Sequence, residues 1–211
     1  VSLDTPVDLG QNIVLTGYTR GYPTMVRQIV TALMALDTDI VFFLEHDVLY
    51  HPSHFDFTPP KSDIYYYNGN NWRWPVKEEF AITYDYLRSL SQLCCYRQAA
   101  LNHFQGRLKY IEERDLEKIP GHEPKWVRNL GYEPGTKPRR KGGFSDENHE
   151  MWRSDLPNID IRHRHTFSPP KYTLDKFKHP PFNWQEKKID EIPYWNLRKL
   201  YNEWIDRYRI N

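Results

Sequence analysis

Apolar and polar positions alternate between two periods along this chain. Asn12-Ile13-Val14-Leu15-Thr16 is a short apolar run closed by Gly17, which predicts a buried strand. Val26, Ile29, Val30, Leu33 and Leu36 recur at helical spacing and predict a helix over 24–36, with Thr24 as its N-cap. Ile40-Val41-Phe42-Phe43-Leu44 is continuously apolar, as a strand covered on both faces should be. Strand, helix and strand in that order predict a βαβ unit with parallel strands. Further strands are expected at 64–67, 93–96 and 159–161, and helices at 98–113 and 194–208. A short helix is expected over 146–154. In the last helix, Leu197, Tyr201, Trp204 and Tyr208 share one stripe that should pack on the domain.

Residues 115–145 lose periodicity and carry five Gly and four Pro, a length that suits a mobile lid more than a passive connector. The expected organisation is one domain over 1–211. It has a sheet core over 12–114, that loop, and a segment over 146–211 carrying chemistry and an irregular tail. The expected fold class is α/β, a compact Rossmann-like, mostly parallel sheet flanked by helices.

Composition narrows the function classes. The 211 residues are 39% hydrophobic, 27% charged and 15% aromatic, enough for a packed core. With 29 Lys+Arg against 28 Asp+Glu the net charge is +1, so no global field draws the chain to nucleic acid. Residues 1–100 hold 7 of those basic and 11 of the acidic residues, leaving 22 and 17 for the rest. An acidic half facing a basic half suits a metal with a phosphate ligand, and equally describes ordinary surface variation. The longest apolar run is far short of the ~20 residues of a membrane helix. No leader pattern opens the sequence, and its two cysteines, Cys94 and Cys95, are adjacent and form no disulfide framework or zinc motif. The expected setting is cytoplasmic, as a monomer or homodimer.

The chemistry concentrates at Phe43-Leu44-Glu45-His46-Asp47-Val48-Leu49-Tyr50-His51, where an apolar strand ends in two acids separated by one residue. Ligand sites of parallel α/β sheets lie beyond the carboxyl ends of strands. In an extended segment residues two apart point the same way, so Glu45 and Asp47 could face one Mg²⁺ or Mn²⁺. The same two acids also read as a solvated pair at a strand end. On this reading His46 points away from both carboxylates, and His51 and His54 are turn residues. His163 and His165 fall on one face if extended, and could complete a coordination shell, His163 ahead of His165.

"DTDIVFFLEHDVLYHPSHF" resembles the central strand and acid motif of glycosyltransferases with the A-type fold, the family-two-like group. "TRGYPTMVRQIVTALMAL" resembles the helix before that strand, and "SLSQLCCYRQAALNHF" the strand and helix after the acceptor region. "DENHEMWRSDLPNIDIRHRHTF" resembles the segment that supplies a catalytic acid and a metal-binding His. The likeness covers roughly 12–167. It implies a nucleotide-sugar donor, with UDP favoured, a saccharide or other hydroxyl acceptor, and Mn²⁺ or Mg²⁺ held by Asp47, His163 and Glu45. The motif departs from the family's Asp-x-Asp, which leaves Glu45 free to contact ribose while Asp47 alone binds metal. The first strand-helix unit, which holds the base in that family, is expected to be missing.

For an inverting transfer a carboxylate must take the acceptor proton, and Glu150, then Asp146, are the candidates, sharing a helical face at i, i+4. A solvated helix face explains them as well, and a retaining enzyme needs no such base. Tyr18 and Arg20 lie at the first strand-to-helix turn, where nucleotide groups are held, and with Glu45 and His165 are the diphosphate candidates. Asn68, Trp72 and Trp74 combine amide and aromatic faces suited to a sugar, although a strand, an Asn-Gly turn and a second strand account for much of that pattern. The basic run 137–143 reads as a lid over a diphosphate or as a solvated loop. Two competing expectations are a metal-dependent hydrolase or phosphoesterase, and a degenerate module that binds saccharide or nucleic acid.

Overall fold

The computed structural model describes residues 1–8, 10–116, 133–136, 148–163 and 171–208, with residues 207 and 208 described by their backbone alone. In chain order the elements are β1 (Ser2–Leu3), β2 (Val14–Leu15), α1 (Tyr22–Ala35), β3 (Ile40–Phe42) and β4 (Val48–Leu49). Then come β5 (Tyr65–Asn68), β6 (Asn71–Pro75), β7 (Phe80–Thr83), β8 (Leu93–Tyr96) and α2 (Arg97–Glu113). The chain ends with β9 (His149–Trp152), β10 (Asn158–Arg162), β11 (Gln185–Lys188) and α3 (Leu197–Tyr208).

The class is α/β, with mixed sheets and three helices among the described residues. The expected mostly parallel sheet is corrected: β1–β2 and β6–β10 pair in parallel, whereas β4–β10, β5–β8, β6–β7 and β7–β11 are antiparallel. A five-stranded sheet runs β11-β7-β6-β10-β4 and a four-stranded one β3-β8-β5-β9, with β1 and β2 forming a pair of their own. The predicted βαβ unit is therefore not built. Its first strand pairs with β1 and its second lies in the four-stranded sheet.

One local expectation holds and two are corrected. The strand, Asn-Gly turn and second strand are present as β5, Asn68–Asn70 and β6, although the two strands join different sheets and are not a paired hairpin. Asn68 folds its side-chain carbonyl back on the Asn70 N–H at 2.8 Å, an Asx turn that steers the chain out of one sheet and into the other. The helix expected over 146–154 is the strand β9, tied to its neighbour by Tyr65 N–H to the Asn148 carbonyl and Gly69 N–H to the Trp152 carbonyl. Those ladder bonds override a helical charge pattern. Helix α1 begins at Tyr22, ahead of Thr24, with Pro23 in its first turn where a missing N–H costs nothing.

Contacts divide the chain into two units. Residues Val1–Val41, Pro59–Tyr65 and Cys95–His149 form one, in which α1 packs on α2 through buried Val26, Val30, Leu33, Phe104 and Ile111. Residues Phe42–Thr58, Tyr66–Cys94 and Glu150–Asn211 form the other. Its core is Trp72, Trp74, Val76, Ala81, Ile159, Ile189, Ile192 and Leu197, with Tyr201 and Trp204 of α3 laid against it as their stripe predicts. Among the described residues no helix is long and apolar enough to cross a membrane.

Candidate metal centre

Strand β3 ends at Phe42, and the chain turns tightly at Glu45–Val48, where the Val48 N–H donates to the Glu45 carbonyl at 3.3 Å. The turn is pinned by one phenol. Tyr50 accepts the Glu45 N–H at 2.9 Å and donates to the Ser91 carbonyl at 3.1 Å. Burial and then the nearby Glu45, Asp160 and Asp47 carboxylates hold the Tyr50 hydroxyl well above the usual tyrosine range, so it stays a donor. Because the segment is a turn, the period-two argument that aligned Glu45 with Asp47 does not apply there.

Antiparallel pairing then completes the centre. Leu49 faces Ile159 and Val48 faces Asp160, and the Ile161 N–H donates to the Asp47 carbonyl at 2.8 Å. That register carries His163, two residues past Ile161 and on the same side, onto Asp47. The His163 Nε2 lies 3.3 Å from Asp47 Oδ2. His46 joins them, and one donor atom from each of His46, Asp47 and His163 lies within 4.8 Å of the other two. The expectation that His46 points away is thus overturned, and Glu45 is outside this group. Nothing in the bare spacing separates His46 from Glu45; only the turn does.

The opposite face of β10 carries a second ionic cluster. Asp160 is 2% exposed and lies between Arg162, whose Nη1 is 3.2 Å from Oδ1, and Arg73, whose Nε is 3.4 Å from Oδ2. The β6–β10 register sets Arg73 beside Asp160. Arg73 is also tied to the Tyr84 hydroxyl and to Ser89 Oγ, each at 3.2 Å. Desolvation, then the charges of Asp47 and Asp160, push the Glu45 carboxyl up to about 7. Glu45 as a residue is exposed, so the crowding of like charges is the firmer part of that cause.

The other sequence candidates fall elsewhere. Asn68 is fully buried: its Oδ1 accepts the Ser154 and Asn70 N–H groups and its Nδ2 donates to Ser154 Oγ at 2.8 Å. Trp72 and Trp74 are core, 6% and 1% exposed, with Trp74 Nε1 donating to the Glu78 carbonyl at 3.0 Å. These three hold the fold together and present no open wall to a sugar. Glu150 is exposed on β9, at the edge of the four-stranded sheet, whereas the centre is built on β4 and β10 of the five-stranded one. Tyr18, with the Arg27 guanidinium 5.5 Å from its ring centroid, and Arg20 are exposed and belong to the unit that lacks Asp47. Asp146, His165 and the basic run 137–143 lie outside the described residues.

His54, three residues from His51, shows what a buried imidazole does here. Its Nδ1 lies 3.1 Å from the amide nitrogens of both Asn68 and Asn158. Amide nitrogens only donate, so Nδ1 accepts and the ring proton sits on Nε2. Rings of Phe42, Tyr50, Phe55 and Trp152 enclose it, and burial pushes its pKa down to about 4.

Two imidazoles and one carboxylate fit a divalent transition ion. Mg²⁺ prefers an oxygen shell with ordered water, so of the two expected ions this set suits Mn²⁺ better. No family model, curated protein or solved structure matches this chain.

Proposed function

We propose that the chain is a metal-dependent glycosyltransferase that moves a sugar from a nucleotide-sugar donor to a hydroxyl acceptor. One observation carries the reading: the convergence of His46, Asp47 and His163 just beyond the end of an apolar strand, assembled by the β4–β10 register. The motif order along the sequence supports it. Asp47, His46 and His163 would hold Mn²⁺, which would offset negative charge on the departing nucleoside diphosphate. The Tyr50 hydroxyl fixes the turn that presents Asp47 and His46, so the ligands need little reorganisation to bind. Glu150, the base expected for an inverting transfer, lies on β9 of the four-stranded sheet and is not assigned that role.

The same two-imidazole, one-carboxylate set also favours a second reading, a metal-dependent hydrolase, because such a set can generate hydroxide at neutral pH. Calorimetry with UDP and GDP, each with and without Mn²⁺, on the wild type and Asp47→Ala tests the shared part of both readings. Binding that needs metal and Asp47 supports them; metal-independent binding, or none, contradicts both. Release of UDP or GDP from nucleotide sugars then separates them. A transferase speeds up with a saccharide acceptor, whereas a hydrolase is indifferent to it.

A further inference from the structure

Between the short helical turn Ile189–Glu191 and the start of α3 the second unit holds an open cavity of about 300 Å³, the lower end of ligand-pocket size. Its rim carries an aromatic in an unusual state. Tyr194 has φ of 72°, a left-handed backbone that bulky side chains avoid, yet 62% of its surface is exposed. Strain of this kind persists only where neighbours impose it. Here they do: the His51 ring meets Tyr194 edge-on at 4.3 Å and the Trp195 ring at 5.0 Å. Trp195 is itself anchored by Nε1 donating to the Pro157 carbonyl at 2.6 Å. A phenol ring packed at its edges on two neighbours is thus held with most of its surface in solvent at the mouth of a cavity.

The polar lining is equally fixed. Asp190 receives the Arg198 Nε at 3.1 Å and Nη2 at 2.6 Å, a bidentate pair that holds its carboxyl below the usual range and therefore ionised. Arg198 also reaches Glu79 at 2.6 Å, so two carboxylates share one guanidinium. Asn196 accepts the Lys199 N–H through Oδ1 at 3.1 Å, and no hydrogen bond among the described residues occupies its Nδ2. A wholly apolar ligand would strip water from Asp190 without replacing it. An anion would meet the Asp190 carboxylate, and the Arg198 guanidinium is already committed to Asp190 and Glu79. A neutral ligand with one C–H face and several hydroxyls satisfies both halves of the site.

We propose that this cavity is a saccharide subsite, in which Tyr194 stacks on a sugar ring while Asp190 accepts from its hydroxyls and Asn196 donates to them. His51 is four residues past Asp47, so their Cα atoms are at most about 14 Å apart. That separation is within the span of a short oligosaccharide, and in a transferase the occupant would be the acceptor. That acceptor role rests on the transferase reading; saccharide binding at Tyr194 does not.

The test uses the full chain without nucleotide or metal, titrated calorimetrically with chitotetraose, cellotetraose, maltotetraose, xylotetraose and mannotetraose. At least one should bind the wild type. Tyr194→Asn, which tolerates the left-handed backbone and removes the ring, should weaken that binding roughly 3- to 10-fold with the thermal midpoint unchanged. Tyr194→Phe should bind as the wild type does, and so should Asp47→Ala. Failure of all five sugars to bind, or equal binding by Tyr194→Asn, overturns the subsite. Tyr194-dependent sugar binding in a chain that binds no nucleoside diphosphate would keep the subsite and sink the transferase reading instead.

Discussion

Two histidine environments within one unit are opposite in kind. His54 is fully buried, neutral and enclosed by four aromatic rings, with two asparagine amides on one nitrogen. His46 and His163 stand at a turn and a strand end where water reaches them, and share Asp47. Only seven residues lie between His46 and His54, so sequence neighbourhood does not separate these environments. What separates them is whether the backbone is in a ladder or a turn, and whether the ring is desolvated. A desolvated imidazole with its Nδ1 already occupied has nothing to offer a cation, while one beside a carboxylate in contact with water does.

This contrast can be broken by exchanging the effects. Asp47→Ala should lower Mn²⁺-dependent diphosphate binding by more than the roughly 10- to 100-fold that loss of an outer-shell partner costs. Its thermal midpoint should stay near the wild-type value, because the backbone carbonyl of residue 47 keeps the Ile161 bond. His54→Ala should do the reverse. It removes one of the two acceptors of each of two buried amides and opens a cavity among aromatic rings, a loss of about 2–4 kcal/mol in urea unfolding. Mn²⁺ affinity measured on the folded fraction should not change. Trp74→Phe should cost about 1–3 kcal/mol for its volume and the orphaned Glu78 carbonyl, again with ligand binding intact.

The pH dependence sharpens the same comparison. His54 has a folded pKa near 4 against an ordinary 6.5, so the unfolded chain takes up its proton first as pH falls. Its contribution is fully present above pH 6.5 and is lost progressively towards pH 4. Glu45 behaves oppositely. With a folded pKa near 7 against 4.5, its contribution is present below pH 4.5 and is lost as pH rises through 7. Glu45→Gln should therefore be more stable than wild type at pH 8 and nearly equal to it at pH 4.5. This is the smallest of the expected effects, since an exposed carboxylate is screened by solvent. A thermal-melt series across that pH range checks both slopes.

Much of the element order was legible in the sequence. The strand at Leu93–Tyr96 and the helix that follows it occupy nearly the predicted residues, because an apolar run and a 3.6-residue period are local signals. The pairing was not legible. Asn-Gly is a hairpin signal, but the buried Asn68 carbonyl is committed to Asn70 and Ser154, and the following strand joins another sheet. Asp47 and His163 were legible as candidates from their residue types near strand ends, and the structure brings them to 3.3 Å of each other. His46 was missed because a turn, not an extended strand, follows β3. Trp72 and Trp74 were misread as a sugar wall because aromatic composition does not distinguish a core from a binding face. Tyr194 carried no sequence signal, since its backbone angle exists only in the fold.

The central claim is that His46, Asp47 and His163 form one cation site. Electron paramagnetic resonance of free Mn²⁺, titrated with the wild type, Asp47→Ala, His46→Ala and His163→Ala, reads it directly. The account predicts one bound ion per wild-type chain and weakened binding in all three variants, with Glu45→Gln retaining the site. Equal Mn²⁺ binding by the wild type and the three alanine variants, or no binding by the wild type with UDP present, would contradict it.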